Sequence, residues 1–123
     1  MKRVLLTLVL LTSLLGHADW IKLGVKNDRV VMIHSDTPRQ INSYIYSAWT
    51  LMVLPKVNED NIRAYRSYST YNCKTGGRKL LHLTSFDNNG NILSDFNTES
   101  MSSVEYDDPE GPGGLAIKKI CGK

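Results

Sequence analysis

Short apolar runs, separated by turn-forming residues, follow one another along most of the chain. The runs are rich in β-branched and aromatic residues, and Asn, Asp, Gly and Pro punctuate them, which is the pattern of β-strands. It predicts strands over residues 20–25, 29–34, 41–54, 62–73, 78–86 and 92–96, with a weaker one over 101–106. Such spacing, with no long helical period between the runs, is typical of an antiparallel sheet.

The longest run, residues 41–54, is apolar on both faces of the predicted strand. One face would carry Ile45, Trp49, Leu51 and Val53, and the other Tyr44, Tyr46, Ala48 and Met52. A strand that is apolar on both sides suits the centre of a sheet, covered from above and below. Pro55 ends it, because proline cannot donate to the hydrogen-bond ladder.

Two turns and one helix complete the predicted elements. Asn27-Asp28 is a turn signal, and Asn89-Gly90 is the strongest hairpin signal, since both positions tolerate a positive φ. The Pro- and Gly-rich run over residues 107–114 is predicted to lack regular structure. After it, Ile117, Ile120 and Cys121 recur at helical spacing, with Gly122 placed to end a two-turn helix. The fold class is therefore α+β: an antiparallel sheet of five to six strands with a short C-terminal helix packed on one face.

Residues 1–18 have the pattern of a secretory signal peptide. Lys2 and Arg3 precede an apolar stretch over residues 4–15, and small residues lead to a cut after Ala18. As a helix, this stretch would measure about 18 Å, short of the roughly 30 Å that a bilayer requires. No cysteine lies near the cut to carry a lipid anchor. We therefore expect a single domain over residues 19–123, without a stable membrane anchor, that is periplasmic or secreted.

Removal of the leader changes the charge balance. The 123 residues carry 15 Lys and Arg against 12 Asp and Glu; loss of Lys2 and Arg3 leaves 13 against 12, a net charge of +1. A domain that binds nucleic acid usually shows a strongly basic face. We therefore expect no nucleic-acid partner.

Two cysteines, Cys73 and Cys121, remain for covalent chemistry. In an exported chain an even cysteine count favours a disulfide. Two free thiols or a metal site are the alternatives, although only His34 and His82 remain outside the leader to help hold a metal. The compartment favours the disulfide, and we expect neither metal nor cofactor.

Three groups of residues are candidates for function. His34 and His82 suit acid–base catalysis. No nucleophile with an orienting group stands near either, so we expect a protein that is not an enzyme. Lys74, Arg78 and Lys79 bracket a Gly-Gly turn and form a candidate protein-binding patch, with an ordinary solvated loop as the alternative. Four acidic residues favour a basic partner, calcium or a solvated loop: Glu105, Asp107, Asp108 and Glu110.

An ordered set of short motifs resembles the surface-adhesin protein E family. The motifs are Trp20, His34-Ser35, Ala48-Trp49-Thr50-Leu51, Leu54-Pro55, Tyr65-Arg66-Ser67, Tyr71-Asn72-Cys73, the strand from Arg78 to Phe86, Asn89-Gly90, Pro112-Gly113 and Ile120-Cys121. The resemblance implies a six-stranded antiparallel sheet, and a C-terminal helix held by a Cys73–Cys121 bond. It implies no catalysis, and binding at the bacterial surface to host extracellular-matrix or serum proteins such as vitronectin and laminin.

Three departures from the family pattern bear on this expectation. The chain lacks a lipid-anchoring cysteine, Asn72 stands where an Asp is frequent, and Gly114 replaces a Ser or Thr near the helix start. The sequence thus predicts an exported binding protein with a protein partner. The alternative is a soluble periplasmic protein with a local envelope partner, such as an assembly factor or a hydrolase inhibitor. The sequence leaves the oligomeric state open.

Overall fold

The computed structural model describes residues 19–101 and 103–122. The strands are β1 (Trp20–Lys26), β2 (Arg29–His34), β3 (Arg39–Gln40), β4 (Ile45–Val53), β5 (Ala64–Asn72), β6 (Arg78–Phe86), β7 (Ile92–Asn97) and β8 (Val104–Glu105). The helix α1 is Pro112–Cys121. The predicted signal peptide lies outside the described residues. In the part of the chain that is described, no helix is long and apolar enough to cross a membrane.

All strand pairs are antiparallel, as the sequence predicts. The main order is β1-β2-β4-β5-β6-β7, with β3 beside β4 and β8 beside β6. β4 and β5 pair along their full length at the centre, so the prediction of a central strand is confirmed. The α+β fold class, with six strands in the main order and one C-terminal helix, is confirmed as well.

The tight hairpin turn forms at a different place from the strongest sequence signal. Asn27 and Asp28 both have positive φ, 54° and 62°, and join β1 to β2 in the manner of a type I′ turn. At the predicted site only Gly90 has positive φ. There the side chain of Asp87 accepts hydrogen bonds from the backbone N–H groups of Asn89 and Asn91, each at 2.9 Å. This side-chain cap stabilises a longer loop over residues 87–91 instead of a two-residue turn.

Strand ends differ from the predicted bounds where side chains offer the backbone another partner. β4 begins at Ile45 because Asn42 Oδ1 accepts hydrogen bonds from the N–H groups of Tyr44 and Ile45, which makes residues 41–44 a turn. β5 begins at Ala64, two residues later than predicted. Of residues 101–106, only Val104 and Glu105 form a strand.

The prediction that residues 107–114 lack regular structure is wrong at its end. The helix begins at Pro112 and runs for ten residues, because proline suits the first helical position and the two following glycines allow close packing. A Cβ at Gly114 would lie 2.2 Å from the carbonyl oxygen of Pro109. Gly111, not Gly114, is the N-cap, and it offers no side-chain hydrogen bond. Gly122 ends the helix in the left-handed region, as predicted, with its N–H donating to Lys118 O at 2.9 Å.

Both faces of the sheet are buried near its centre. On one face α1 packs over β1, β2 and β4, where Ala116 and Ile120 meet Ile33, Ala48 and Tyr71. The opposite face, called the open face below, has its own buried cluster of Met32, Leu51, Val53, Ala64 and Phe86. The Cys73–Cys121 disulfide joins the end of β5 to the end of α1, which confirms the predicted covalent bond.

Candidate functional site

The open face carries a group of aromatic and charged side chains across four neighbouring strands. We call it the Trp49 cluster: Trp49, Arg66, Tyr68, His82 and Asp95. The register places Trp49 opposite Tyr68, Tyr68 opposite His82, and Thr84 opposite Asp95. Residues directly opposite in antiparallel strands share a face and touch, so the backbone pairing itself assembles the cluster.

Trp49 lies at the centre of the cluster. Its ring centroid is 4.8 Å from that of Tyr68, at an interplanar angle of 37°, and 6.3 Å from that of His82. These side chains are partly exposed, and in the described part of the chain the single helix lies on the other face. The cluster therefore presents aromatic surface to the exterior.

Arg66 lies between two rings and makes few hydrogen bonds. Its Cζ is 5.5 Å from the Trp49 centroid and 5.4 Å from the Phe86 centroid. Nη2 donates to Thr84 Oγ1 over 3.4 Å, and Nε is buried without a partner among the described residues. Burial lowers the pKa of Arg66, and the negative charge of Asp95 offsets part of that effect.

His82 and Asp95 form an oriented pair beside Trp49. His82 Nε2 is hydrogen-bonded to Asp95 Oδ1, which also accepts from Thr84 Oγ1 at 2.8 Å. These two hydrogen bonds, that of His82 first, lower the pKa of Asp95. Thr84 donates its hydrogen bond to the carboxylate, so this hydroxyl is not arranged as a nucleophile activated by histidine. The pair fixes the imidazole in place as part of the surface.

The two histidines of the domain lie apart. His34 packs edge-on against Trp20, with ring centroids 5.5 Å apart, and its Nδ1 accepts the backbone N–H of Asp36 at 3.0 Å. It belongs to β2, and β4 and β5 separate it from β6, where His82 lies. Three strand spacings amount to about 14 Å, too far for one proton relay. The structure therefore does not bring together the acid–base pair considered from the sequence.

The predicted basic patch is not one cluster of free cations. Arg78 Nε lies 2.8 Å from Asp107 Oδ2, and Nη2 lies 3.2 Å from Asp107 Oδ1 and 3.3 Å from Glu105 Oε2. Burial alone would lower the pKa of Arg78, but the hydrogen bonds and charge of Asp107 outweigh it and raise the pKa. Lys74 instead extends over the ring of Tyr44, with Nζ 5.6 Å from its centroid. Lys79 lies opposite Val104 of β8.

The predicted acidic run has a structural role at three of its four positions. Glu105 and Asp107 pair with Arg78, and the side chain of Asp108 accepts the backbone N–H of Glu110 at 3.0 Å. The basic and acidic runs therefore hold the segment before α1 against the start of β6. Within residues 19–101 and 103–122, no group of three or more His, Cys, Asp or Glu side chains could hold a metal ion.

The helix face carries a groove of about 310 Å³ beside the start of α1. Thr50 and Ser67 line it with hydroxyls that hydrogen-bond each other at 2.8 Å, and Met52 and Leu83 supply apolar walls. Arg78 and Asp107 form part of its rim, so the ion pair that docks the helix segment also shapes this groove.

The sequence pattern alone does not identify the Trp49 cluster as a site. It places Trp49 on one face of a central strand and His82 and Thr84 on a polar face, and both assignments are correct. It lacks the register that brings Arg66 and Asp95 to the same place. One signal for the site was available in the sequence. An arginine and a histidine alternate with aromatic residues on adjacent predicted strands.

Comparison with solved structures reveals the same fold in another protein. The crystal structure of protein E from non-typeable Haemophilus influenzae matches with a TM-score of 0.52 and 17% sequence identity. The match covers 84% of this chain and 75% of that chain. At this identity the likeness extends to the fold alone. No curated protein matches the sequence.

The sequence itself matches a family over nearly the whole described region. The model of the family described as Surface-adhesin protein E matches residues 20–122, from the start of β1 to the glycine that ends α1. This range includes every described strand, the described helix, both cysteines and the Trp49 cluster. The chain belongs to the surface-adhesin protein E family.

Proposed function

We propose that this chain is an exported, non-enzymatic binding protein that holds a protein partner on the Trp49 cluster. The observation that supports the proposal is the partly exposed Trp49–Tyr68 stack, flanked by Arg66, on the sheet face opposite the helix. Trp, Tyr and Arg are the residue types most enriched at the energetic centres of protein interfaces. Family membership favours a host extracellular-matrix or serum protein as the partner.

The rigidity of the cluster favours binding as well. Its side chains project from paired strands, and stacking and hydrogen bonds already restrict them, so little conformational entropy remains to be lost on association. A partner that covers Trp49 and Tyr68 would gain the burial of large aromatic surface. The oriented His82–Asp95 pair would add polar contacts at the border.

A binding screen tests the proposal directly. Purified mature protein is measured against immobilised host matrix and serum proteins, together with the variants Trp49→Ala, Tyr68→Ala and Phe96→Ala. Phe96 follows Asp95 in β7, so its exposed side chain lies on the opposite face of the sheet and serves as the matched control. We expect the two cluster variants to bind at least about tenfold more weakly, the effect of losing an interface anchor, and the control to bind normally. Folded cluster variants with unchanged affinity for a bound partner would disprove the assignment of this face.

The location of the exported chain distinguishes a host partner from a partner in the bacterial envelope. Intact mass of the exported chain should show cleavage after Ala18, and protease added to whole cells should degrade a surface-displayed chain. Protection until the outer envelope is opened would exclude direct contact with host proteins. The same face would then serve a local envelope partner, an assembly factor or a hydrolase to be inhibited.

The basic patch of Lys74, Arg78 and Lys79 is proposed as a secondary, electrostatic contribution to binding. Arg78 must be left intact in a test, because its charge is paired with Asp107. The double charge reversal Lys74→Glu, Lys79→Glu is expected to weaken binding and reduce its salt dependence. Binding and salt dependence equal to those of the unchanged chain would remove the patch from the interface.

A further inference from the structure

Three arginines of neighbouring strands and loops differ in how their guanidinium groups are satisfied. Arg63 Nε donates to Leu54 O at 2.7 Å, and its Nη1 donates to Asn88 Oδ1 at 2.6 Å. Arg78 Nε donates to Asp107 Oδ2 at 2.8 Å. Arg66 has only the 3.4 Å contact to Thr84, and its Nε has no partner within the described residues.

So few hydrogen bonds are unusual for the Arg66 guanidinium, because this group is also partly shielded from water. The Trp49 and Phe86 rings lie near its guanidinium and displace water from part of it. A charged group in such surroundings is stabilised strongly by hydrogen bonds to an opposite charge, and weakly by one long bond to a hydroxyl. The aromatic rings hold the guanidinium in position, so a ligand would meet a preorganised group.

We propose that Arg66 receives a carboxylate group of the protein partner, from an acidic side chain or a chain terminus. The proposal rests on the proposed function, since it names the chemistry that the Trp49 cluster would recognise. A carboxylate matches the planar fork of a guanidinium and accepts two parallel hydrogen bonds from it. Trp49 and Tyr68 would cover the apolar part of the same partner residue or its neighbour.

The charges around Arg66 favour a carboxylate over a phosphate. Asp95 lies close enough to act electrostatically on Arg66, and its carboxylate is ionised and bonded to His82 and Thr84. A doubly charged phosphate would meet stronger repulsion from Asp95 than a singly charged carboxylate would. Arg78, at the start of β6, is already paired with both Glu105 and Asp107.

The first test titrates the mature protein with benzoate and with benzamide, its neutral counterpart, while NMR follows the arginine Nε–H signals. We expect benzoate to shift the Arg66 signal and leave that of Arg63 unchanged, because Arg63 is already satisfied. Benzamide should shift it much less. Arg66→Lys keeps the charge but loses the fork, so the benzoate response at the neighbouring Trp49 indole N–H should weaken by about tenfold. The unchanged Arg63 signal reports that the variant is folded.

Equal responses to benzoate and benzamide would overturn the proposal, because the rings alone would then account for binding. A benzoate response that Arg66→Lys leaves unchanged would overturn it as well. An inorganic phosphate titration with a larger response than benzoate would replace the carboxylate by a phosphate.

The second test uses the partner found in the binding screen. Arg66→Lys should weaken its binding about as much as Trp49→Ala does, within about a factor of ten. If Trp49→Ala abolishes binding and Arg66→Lys has no effect, the proposed function stands and the carboxylate inference fails. Arg66→Lys could instead abolish the benzoate response while Arg66→Lys and Trp49→Ala both bind the partner normally. The carboxylate site would then be supported, and the proposed protein-binding face would be wrong.

Discussion

Tyr71 holds its phenolic proton more strongly than an exposed tyrosine does. The side chain is buried between β5 and α1, and burial raises the pKa of its phenol to about 12. The positive charge of Arg78 lowers this pKa and the negative charge of Asp107 raises it, and both effects are smaller than that of burial. Phenolate formation would place a charge in the core cluster beneath the helix, which is why the fold opposes it.

The raised pKa of Tyr71 predicts a loss of stability in alkali. The folded chain holds this proton more strongly than the unfolded chain does, so the protonated phenol of Tyr71 stabilises the fold. This stabilisation is fully present below about pH 10 and is lost as the pH rises toward about 12. The contribution is about 2–3 kcal/mol. We expect the free energy of unfolding of Tyr71→Phe to fall less over this range than that of the unchanged chain, measured by urea denaturation. An equal pH dependence in both proteins would contradict the burial of the phenol.

At the scale of elements, the start of α1 depends on glycines with different roles. Gly114 packs against the backbone of Pro109, and Gly111 caps the helix without a side-chain bond. We expect Gly114→Ala to destabilise the fold by about 1–3 kcal/mol, because the clash outweighs the helix propensity gained. Gly111→Ser should be neutral or stabilise by about a few tenths of a kcal/mol through an added cap. Chemical denaturation measures the change in the free energy of unfolding of each variant. A Gly114→Ala variant that is more stable than the unchanged chain would contradict the close packing of Gly114 against Pro109.

The Arg78–Asp107 pair joins β6 to the segment before α1. Both side chains are about four-fifths buried, with 20% and 19% exposed, so the pair escapes most solvent screening. Asp107 also lies against Gly113 at the helix start, where the helix dipole favours a negative charge. We expect Arg78→Ala and Asp107→Ala each to cost about 1–3 kcal/mol. Arg78→Ala leaves the Asp107 carboxylate without its cation, and Asp107→Ala leaves Arg78 with the longer contact to the more exposed Glu105.

A double-mutant cycle isolates this interaction. The double variant should be less destabilised than the sum of the two single variants by about 0.5–3 kcal/mol. Lys118→Ala, at an exposed position on the same helix, is the matched control and should change little. Strict additivity of the two single variants would show that the pair contributes no coupling.

At the scale of the whole molecule, the disulfide holds the helix to the sheet. The helix has ten residues, too few to be stable alone in water, and the bond closes a loop with a separation of 48 residues. We expect Cys73→Ser, Cys121→Ser to lose about 4 kcal/mol in the chain-entropy description. The reduced, unchanged chain should lose a similar amount in urea denaturation. A loss below about 1 kcal/mol would mean that packing of α1 suffices without the bond.

Much of the fold could be predicted because it is determined locally. The period of apolar residues located β2 and β6 at their observed bounds, and Pro55 and Gly122 fell where a strand and a helix end. The start of α1 was missed because the rule that Pro-Gly runs break structure ignores the favourable first position for proline. The place of the tight turn was missed because Asp87 supplies a cap that competes with the two-residue hairpin.

The sequence by itself determined the type and order of most strands and of the helix, the identity of the disulfide partners and the family, because each depends on local pattern, a count of two cysteines or an ordered set of motifs. Only the tertiary structure decided that Arg78 pairs with Asp107 and that Arg66 lies beside Trp49. These contacts join residues far apart in the chain and depend on strand register. A slip of one residue would move a whole strand's side chains to the other face, so register is set by burial summed over the entire sheet. A short stretch of sequence therefore does not reveal the register, and only the folded sheet does.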